Sequence, residues 1–417
     1  MVNEAVFLDK VMYFLDDQFL NKDHHSNGSI FDLQVVQYFK ERYKNSTGLV
    51  KEQNKAVYYF SFEEFLNQML RPFDTRIKEA MQLKRFQLPD FKELLSLQEF
   101  ELVLNQKKIN IDKSLKVEAI TILNSEINNL YKEKWIFLDE LSLQTNDASY
   151  LNFYKMYYGE MMEYIYLQKN KILKMIKRRI NTPSKNNVQP DLKMDLIIKD
   201  IENTTKQLGV TCNFNEIQQK QSQNSFSMYY SFREGTVLLT TKEPKNYIDL
   251  LKVWHEFGHV VHYQNMDKSL LFPFSKLHNL HNMEGIAIYY QFLGNELYKY
   301  PFDFKIYDML WWTFIEFFTV YEWLESNMKE NIEDLFANNL QLVYEKLPTY
   351  PCPIRYFNKG FKSFRYILGL FLAFGIRSYL EKRQIESGEY IKEIMYNGGI
   401  HRNDELIFNG CQYVLNQ

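Results

Sequence analysis

A mostly helical fold with one small antiparallel sheet is what this chain predicts, on three observations. Apolar residues recur at spacings of three and four along most of its length. Proline and glycine, the two helix breakers, number only 10 and 15 among 417 residues. A single stretch, 225–241, switches to short β-branched and aromatic runs of the kind that form strands.

The elements follow in order. Segments 1–22, 30–45, 56–70, 74–86, 90–108, 114–132, 133–147 and 150–180 each place their apolar residues on one helical face. Residues 181–192 (NTPSKNNVQPDL) carry two prolines and several asparagines and predict a loop. That loop separates an N-terminal helical region, 1–180, from a region 190–417 that carries the chemistry, within one continuous fold. A helix over 191–208 closes at Gly209. Ser225–Tyr230 and Thr236–Thr241 (TVLLTT), separated by Arg-Glu-Gly, predict a hairpin. From Asn246 onward helices return, with breaks expected near Pro273, Pro301 and the YPCP stretch at 350–353.

Composition removes several classes of function. Lys and Arg total 50 against 52 Asp and Glu, so nothing in the charge favours nucleic acid or an anionic membrane as partner. The 3 cysteines form no CxxC pair, which argues against a cysteine metal site and for a reducing compartment. The N-terminus has acids within its apolar stretch and no basic leader, unlike a signal peptide. The longest apolar run, Tyr366–Ile376, falls short of the roughly 20 residues a spanning helix needs. A soluble, cytoplasmic protein is expected. The sequence does not fix its oligomeric state.

The chemistry is concentrated in His255-Glu256-Phe257-Gly258-His259. Residues four apart lie on one face of a helix, so both imidazoles can reach one metal ion. Glu256 stands next to the first of them, where a carboxylate can take the proton of a metal-activated water. Leu250, Leu251, Trp254, Phe257 and Val261 supply the opposite, apolar face. Five of the eight histidines fall between 255 and 281. No further His or Gly follows at the spacing that would complete a three-histidine site, so the third ligand is expected to be a carboxylate from a later helix. Glu284, 25 residues after His259 in HNMEGIAIYYQF, is the natural candidate. Asp267 and Glu296 are the other acids nearby.

These residues resemble thimet oligopeptidase and oligoendopeptidase F, a family of zinc metallopeptidases. Its pattern of HExGH, an apolar pair, a His and a ligand Glu about 25 residues on stands here as HEFGHVVH and Glu284. The approach is similar too: TVLLTT, a KEPKN link, then Tyr-Ile-Asp-Leu-Leu-Lys-Val-Trp into the motif. The likeness covers roughly 225–300 well and 350–400 weakly. It implies a large helical peptidase fold, with the small sheet beside the HExxH helix and two lobes around a substrate channel. It further implies one Zn2+ held by His255, His259 and Glu284, with Glu256 as general base on the bound water. The substrate would be a short unfolded peptide, paired with an edge strand 236–241 about Leu239 and lined by His262 and Tyr356.

Two departures stand out. Where the family often has a second acid, seven residues after the ligand Glu, this chain has Gln291. Its C-terminal segment, CPIRYFNKGFKSFRYILG, matches the family's substrate-binding motif only in part. Tyr366 aligns best with a family Tyr, while the family His falls on Tyr356 and another Tyr on Phe361. Arg365 or Tyr366 is then the expected donor to the oxyanion. The reading is a zinc-dependent peptidase for short peptides. A dedicated processing peptidase, an exopeptidase, and a catalytically silent zinc-bearing binding protein are the alternatives.

Overall fold

The helical periodicity of the sequence is realised almost throughout. In the computed structural model the described residues are all but 1, 20–29, 89–91, 106–111, 147, 181–192, 215–216, 222–225, 232–235, 268, 271, 278, 299–301, 345–360, 362, 384–386, 400–401 and 417. Helices α1 (Glu4–Phe19), α2 (Leu33–Asn45) and α3 (Gly48–Gln82) lead to a short antiparallel pair, β1 (Lys84–Phe86) and β2 (Leu95–Ser96). Then come α4 (Leu97–Asn105), α5 (Lys113–Ile122), α6 (Asn128–Asn146), α7 (Tyr150–Tyr158), α8 (Glu160–Leu167), α9 (Lys169–Ile180) and α10 (Met194–Gln207). Strands β3 (Ile217–Gln221), β4 (Ser227–Ser231) and β5 (Thr236–Thr241) form the second sheet. The rest is α11 (Tyr247–Asn265), α12 (His281–Leu297), α13 (Phe302–Glu325), α14 (Ile332–Gln341), α15 (Phe364–Arg383), α16 (Ser387–Tyr396) and α17 (Asp404–Leu415). Among the described residues no helix is long and apolar enough to cross a membrane. The expected loop at 181–192, the YPCP stretch and the Arg-Glu-Gly hairpin turn lie outside the described residues.

Some boundaries differ from the sequence expectation. α3 runs straight through Pro72, where two helices were expected. A proline inside a helix costs about 3 kcal/mol. Leu66 and Leu70 before it and Ile77 after it are buried, and each such side chain returns about 1.5–3 kcal/mol. Burial on both sides of the proline outweighs the lost hydrogen bond. Conversely, the expected helix 150–180 is three helices. Gly159 breaks it at a positive φ of 62°, which a side-chain-bearing residue rarely adopts, and Gln168 breaks it again.

The chain divides into two compact units, each assembled from separated segments. One comprises residues 1–62, 178–313 and 363–417; the other comprises 63–177 and 314–362. In the second unit an aromatic cluster forms part of the core. Trp135 meets Tyr150 and Trp323 edge-on, with ring centroids 5.7 and 6.3 Å apart. Beside it, the Glu322 carboxylate pairs with Lys169 and accepts from Asn339 Nδ2 at 3.1 Å, which satisfies a charge that burial alone would penalise.

In the first unit α11, α12, α15 and α17 pack unusually close. A Cβ on Gly258 would lie 2.7 Å from the Ala287 Cα, and one on Gly369 would lie 2.7 Å from the Glu284 Cβ. Both contacts are possible only because these positions are glycine. The start of α12 is fixed by three side chains. Asn279 Nδ2 donates to Gly399 O at 2.8 Å, Asn282 Nδ2 to Gly398 O at 2.8 Å, and His281 Nε2 to Arg402 O at 2.9 Å. His281 is thus buried in a structural clamp.

The second sheet has the order β3-β5-β4. β4 and β5 form the expected antiparallel pair, and β3 adds a parallel strand on the far side of β5. This corrects the placement of the edge. β5 is central, and Leu239 in it is fully buried, opposite Gln219 on one side and Met228 on the other. Its ladder is used within the sheet, so Leu239 cannot pair with a substrate. The edges are β3 and β4. β4 is held on both faces: Tyr230 stacks on Tyr263 of α11 at 5.3 Å, while Tyr229 and Ser231 donate to the buried Asp16 carboxylate of α1, the latter at 3.0 Å.

Candidate metal centre

α11 begins with a sequence-encoded cap. The Asn246 side chain accepts from Asp249 N at 3.0 Å. The Asp249 carboxylate reaches back to Lys245 N at 3.0 Å and pairs with Lys242 at 3.2 Å. The reciprocal arrangement satisfies donors that the first turn leaves open. From that start Leu250, Leu251, Val253, Trp254, Phe257, Val260 and Val261 turn into the core. His255, Glu256 and His259 are left partly exposed on the other face.

The two imidazoles converge. Their Nε2 atoms are 3.1 Å apart, with the rings nearly perpendicular at 88°. Glu284, in the first turn of α12, enters the same space. Its Oε2 lies 3.4 Å from His255 Nε2 and 3.7 Å from His259 Nε2. Among the described residues this is the one group of three or more His, Cys, Asp or Glu side chains close enough to share a metal ion. Asp267 and Glu296 are engaged elsewhere: Asp267 accepts from Ser269 N at 2.8 Å, and Glu296 pairs with Arg377 at 3.2 Å.

The donor set fits a divalent cation. Glu284 Oε2 is buried with only long contacts to His255 and His259, at 3.4 and 3.7 Å, an under-satisfied charge that a cation would complete. Burial works to raise the Glu284 pKa, but the His255 hydrogen bond and the charges of His259 and Arg365 overcome it and hold it at about 2. Burial pushes His259 down to about 3, with His255 adding to the effect. Both groups are therefore in the deprotonated form a ligand needs. Burial also works to lower His255, but Glu284, Glu256 and the buried Gln291 outweigh it and raise it above the ordinary imidazole value, so a cation there competes with a proton. Two imidazoles and one carboxylate are a donor set that suits a divalent transition metal.

Around the cluster stand three more groups. Burial raises the Glu256 pKa, opposed by the His255 charge and by a hydrogen bond from the Met228 N–H of β4. This places the carboxylate against the sheet edge. Arg365 and Tyr366 come from the first turn of α15. Arg365 Nε is 3.6 Å from Glu284 Oε1, and its Nη2 donates to the Tyr366 hydroxyl at 3.0 Å. The Glu284 charge, and then burial, raise the Tyr366 pKa, so the phenol keeps its proton near neutral pH and can donate it.

Not every expected site residue is found here. His262 is fully buried, with both ring nitrogens unpartnered and its ring against Tyr263, so it does not line a substrate surface. Burial holds its pKa near 4 and keeps it neutral, which makes it a core residue. Tyr356 lies outside the described residues. Phe361 is buried against Tyr150 and Tyr154. What sequence reasoning missed is β4 as the edge beside Glu256. The strand that hides β5, Ile-Gln-Gln-Lys-Gln, is too polar to announce itself.

Comparison with solved structures finds the same fold. Pz peptidase A in complex with an inhibitor superposes with a TM-score of 0.57 at 13% identity, over 98% of this chain and 84% of that one. A candidate oligoendopeptidase F gives 0.57 at 12% identity, over 98% and 83%. The M32 carboxypeptidase of Deinococcus radiodurans gives 0.54 at 11% identity, over 93% and 85%. No protein-family model matches the chain, and no curated protein matches it in sequence. The chain thus has the helical fold of these peptidases, as its resemblance to the oligoendopeptidase F family implied.

Proposed function

We propose that the protein is a metal-dependent peptidase acting on short, unfolded peptides. The observation that carries this is the convergence of His255, His259 and Glu284, with Glu256 alongside and with Arg365, bonded to Tyr366, bordering Glu284. The fold that the chain shares with a candidate oligoendopeptidase F and with an M32 carboxypeptidase supports it. A zinc ion bound there would polarise a carbonyl oxygen and acidify a water molecule.

The chain's own residues do the rest. The β4 edge offers main-chain groups with which an extended peptide can pair, as in strand addition. Glu256, beside that edge, removes a proton from the attacking water and delivers it to the departing amine. Its raised pKa brings it nearer neutrality, which suits both halves of that transfer. The Tyr366 hydroxyl accepts from Arg365, which leaves its own proton available to the oxygen on which negative charge develops.

The test is a mixed library of short peptides, incubated with wild type and with Glu256→Gln and read by mass spectrometry. Cleavage by wild type alone is the expected result. Equal cleavage by both proteins would remove Glu256 from the mechanism. No cleavage by metal-loaded wild type would overturn the peptidase reading in favour of a metal-bearing binding protein.

A further inference from the structure

We infer that Arg365 receives a carboxylate of the substrate, and that this carboxylate is the free C-terminus, so that single residues are released from the C-terminal end. The inference rests on the peptidase reading above and deepens it.

The position of the guanidinium is the first argument. Arg365 Nε is 3.6 Å from one oxygen of Glu284, whose other oxygen is 3.4 Å from His255 Nε2. The arginine therefore borders the cluster at which the peptide bond would be cut. An extended peptide advances about 3.4 Å per residue. An anion that meets Arg365 then lies within about one to two residues of the scissile bond. The group that every peptide, whatever its sequence, presents one residue beyond its last amide is the terminal carboxylate.

Charge is the second argument. With a divalent cation in place, that ion and Arg365 outweigh the carboxylates of Glu256 and Glu284, so the site attracts an anion. Glu284 would then be shared with the cation, which weakens its hold on the guanidinium. Arg365 is accessible as well: its side chain is 36% exposed, whereas that of Glu284 is 7% exposed. A guanidinium presents its donors as a rigid fork that suits a carboxylate. Arg365 also stands in the first turn of the long helix α15, where the helix dipole favours negative charge.

The third argument is division of labour. The Nη2 that bonds Tyr366 ties the carboxylate receptor to the expected oxyanion donor. A substrate seated on Arg365 by its terminus would bring the carbonyl one residue back toward the Tyr366 hydroxyl.

The experiment compares peptides of one sequence with a free or an amidated C-terminus, and adds a pair with an internal Glu flanking the cut. Binding is measured by calorimetry on metal-loaded Glu256→Gln, and products of wild type by mass spectrometry. The free acid is expected to bind at least tenfold more tightly than the amide and to lose one residue at a time. In Arg365→Gln on the same background the ratio should fall toward one, with Arg365→Lys intermediate. Metal content and thermal unfolding establish that both variants fold. Equal binding of acid and amide would overturn the inference, as would a preference that follows the internal Glu or survives in Arg365→Gln. If wild type cleaves nothing, the peptidase reading fails, while the calorimetric ratio still decides whether Arg365 receives a carboxylate.

Discussion

Gly258→Ala tests how the candidate centre is built. The added methyl carbon would lie 2.7 Å from the Ala287 Cα, 3.0 Å from the Tyr290 Cβ and 3.3 Å from the Ala287 O. The nearest atom is backbone and cannot rotate away. Carbon atoms pack at about 3.5 Å or more, so α11 and α12 must separate by roughly 0.8 Å. His255 and His259 ride on one of these helices and Glu284 on the other. The Glu284 distances, now 3.4 and 3.7 Å, would open by a similar amount. Metal sites tolerate only about 0.2 Å of misplacement. The expected loss of metal affinity is therefore about ten- to a hundredfold or more. The stability change should be smaller, because about 1–3 kcal/mol of overpacking is offset by about 1 kcal/mol of helix propensity gained from alanine. Zinc titration against a competing chelator, beside a thermal melt of the metal-free protein, separates the two. Unchanged affinity in a normally folded variant would refute the argument that this crossing sets the ligand geometry.

Three further outcomes follow from the same geometry. Glu284→Ala should lower zinc stoichiometry well below that of wild type, by elemental analysis after gel filtration; full occupancy would exclude Glu284 as a ligand. Zinc affinity should fall with acidity because His255, raised above the ordinary imidazole value, must give up its proton. Glu284 and His259, at about 2 and 3, are already deprotonated, so the loss sets in as pH drops through the His255 pKa, and calorimetry in buffers of different ionisation enthalpy should show proton release. A zinc affinity that does not change as the pH is lowered through and below the ordinary imidazole range would contradict this. Asp16→Ala removes the carboxylate to which the hydroxyls of Tyr229 and Ser231 donate, at a cost of about 1–3 kcal/mol. It should also raise KM more than it lowers kcat if β4 is the edge that pairs with substrate; a change in melting temperature alone would assign Asp16 a purely structural role.

The sequence was most legible where one helix carries the whole signal. His255, Glu256 and His259 need only a spacing of four, and the Asn246 and Asp249 cap announces where that helix begins. Glu284 was within reach because a helix returning beside α11 is the natural successor to it. Features that depend on a distant partner were not legible. β5 looked like an edge because its polar neighbour β3 has no apolar alternation. His262 looked like a lining residue because helical phase cannot say how much of a face a neighbouring element will cover. Pro72 looked like a break because burial on either side of it is decided by tertiary packing.

The Asp16 linkage also sets an order of assembly. Its partners on β4 follow it by 213 and 215 residues. During synthesis α1 emerges long before the strand it will hold, and its carboxylate stays hydrated until β4 arrives. The imidazoles come later, Glu284 after them, and the phenol and guanidinium of α15 later still. Each partial chain thus lacks some member of the cluster. The candidate centre is drawn from segments made at different times, and it closes only once the Arg365 of α15 has met the Glu284 of α12.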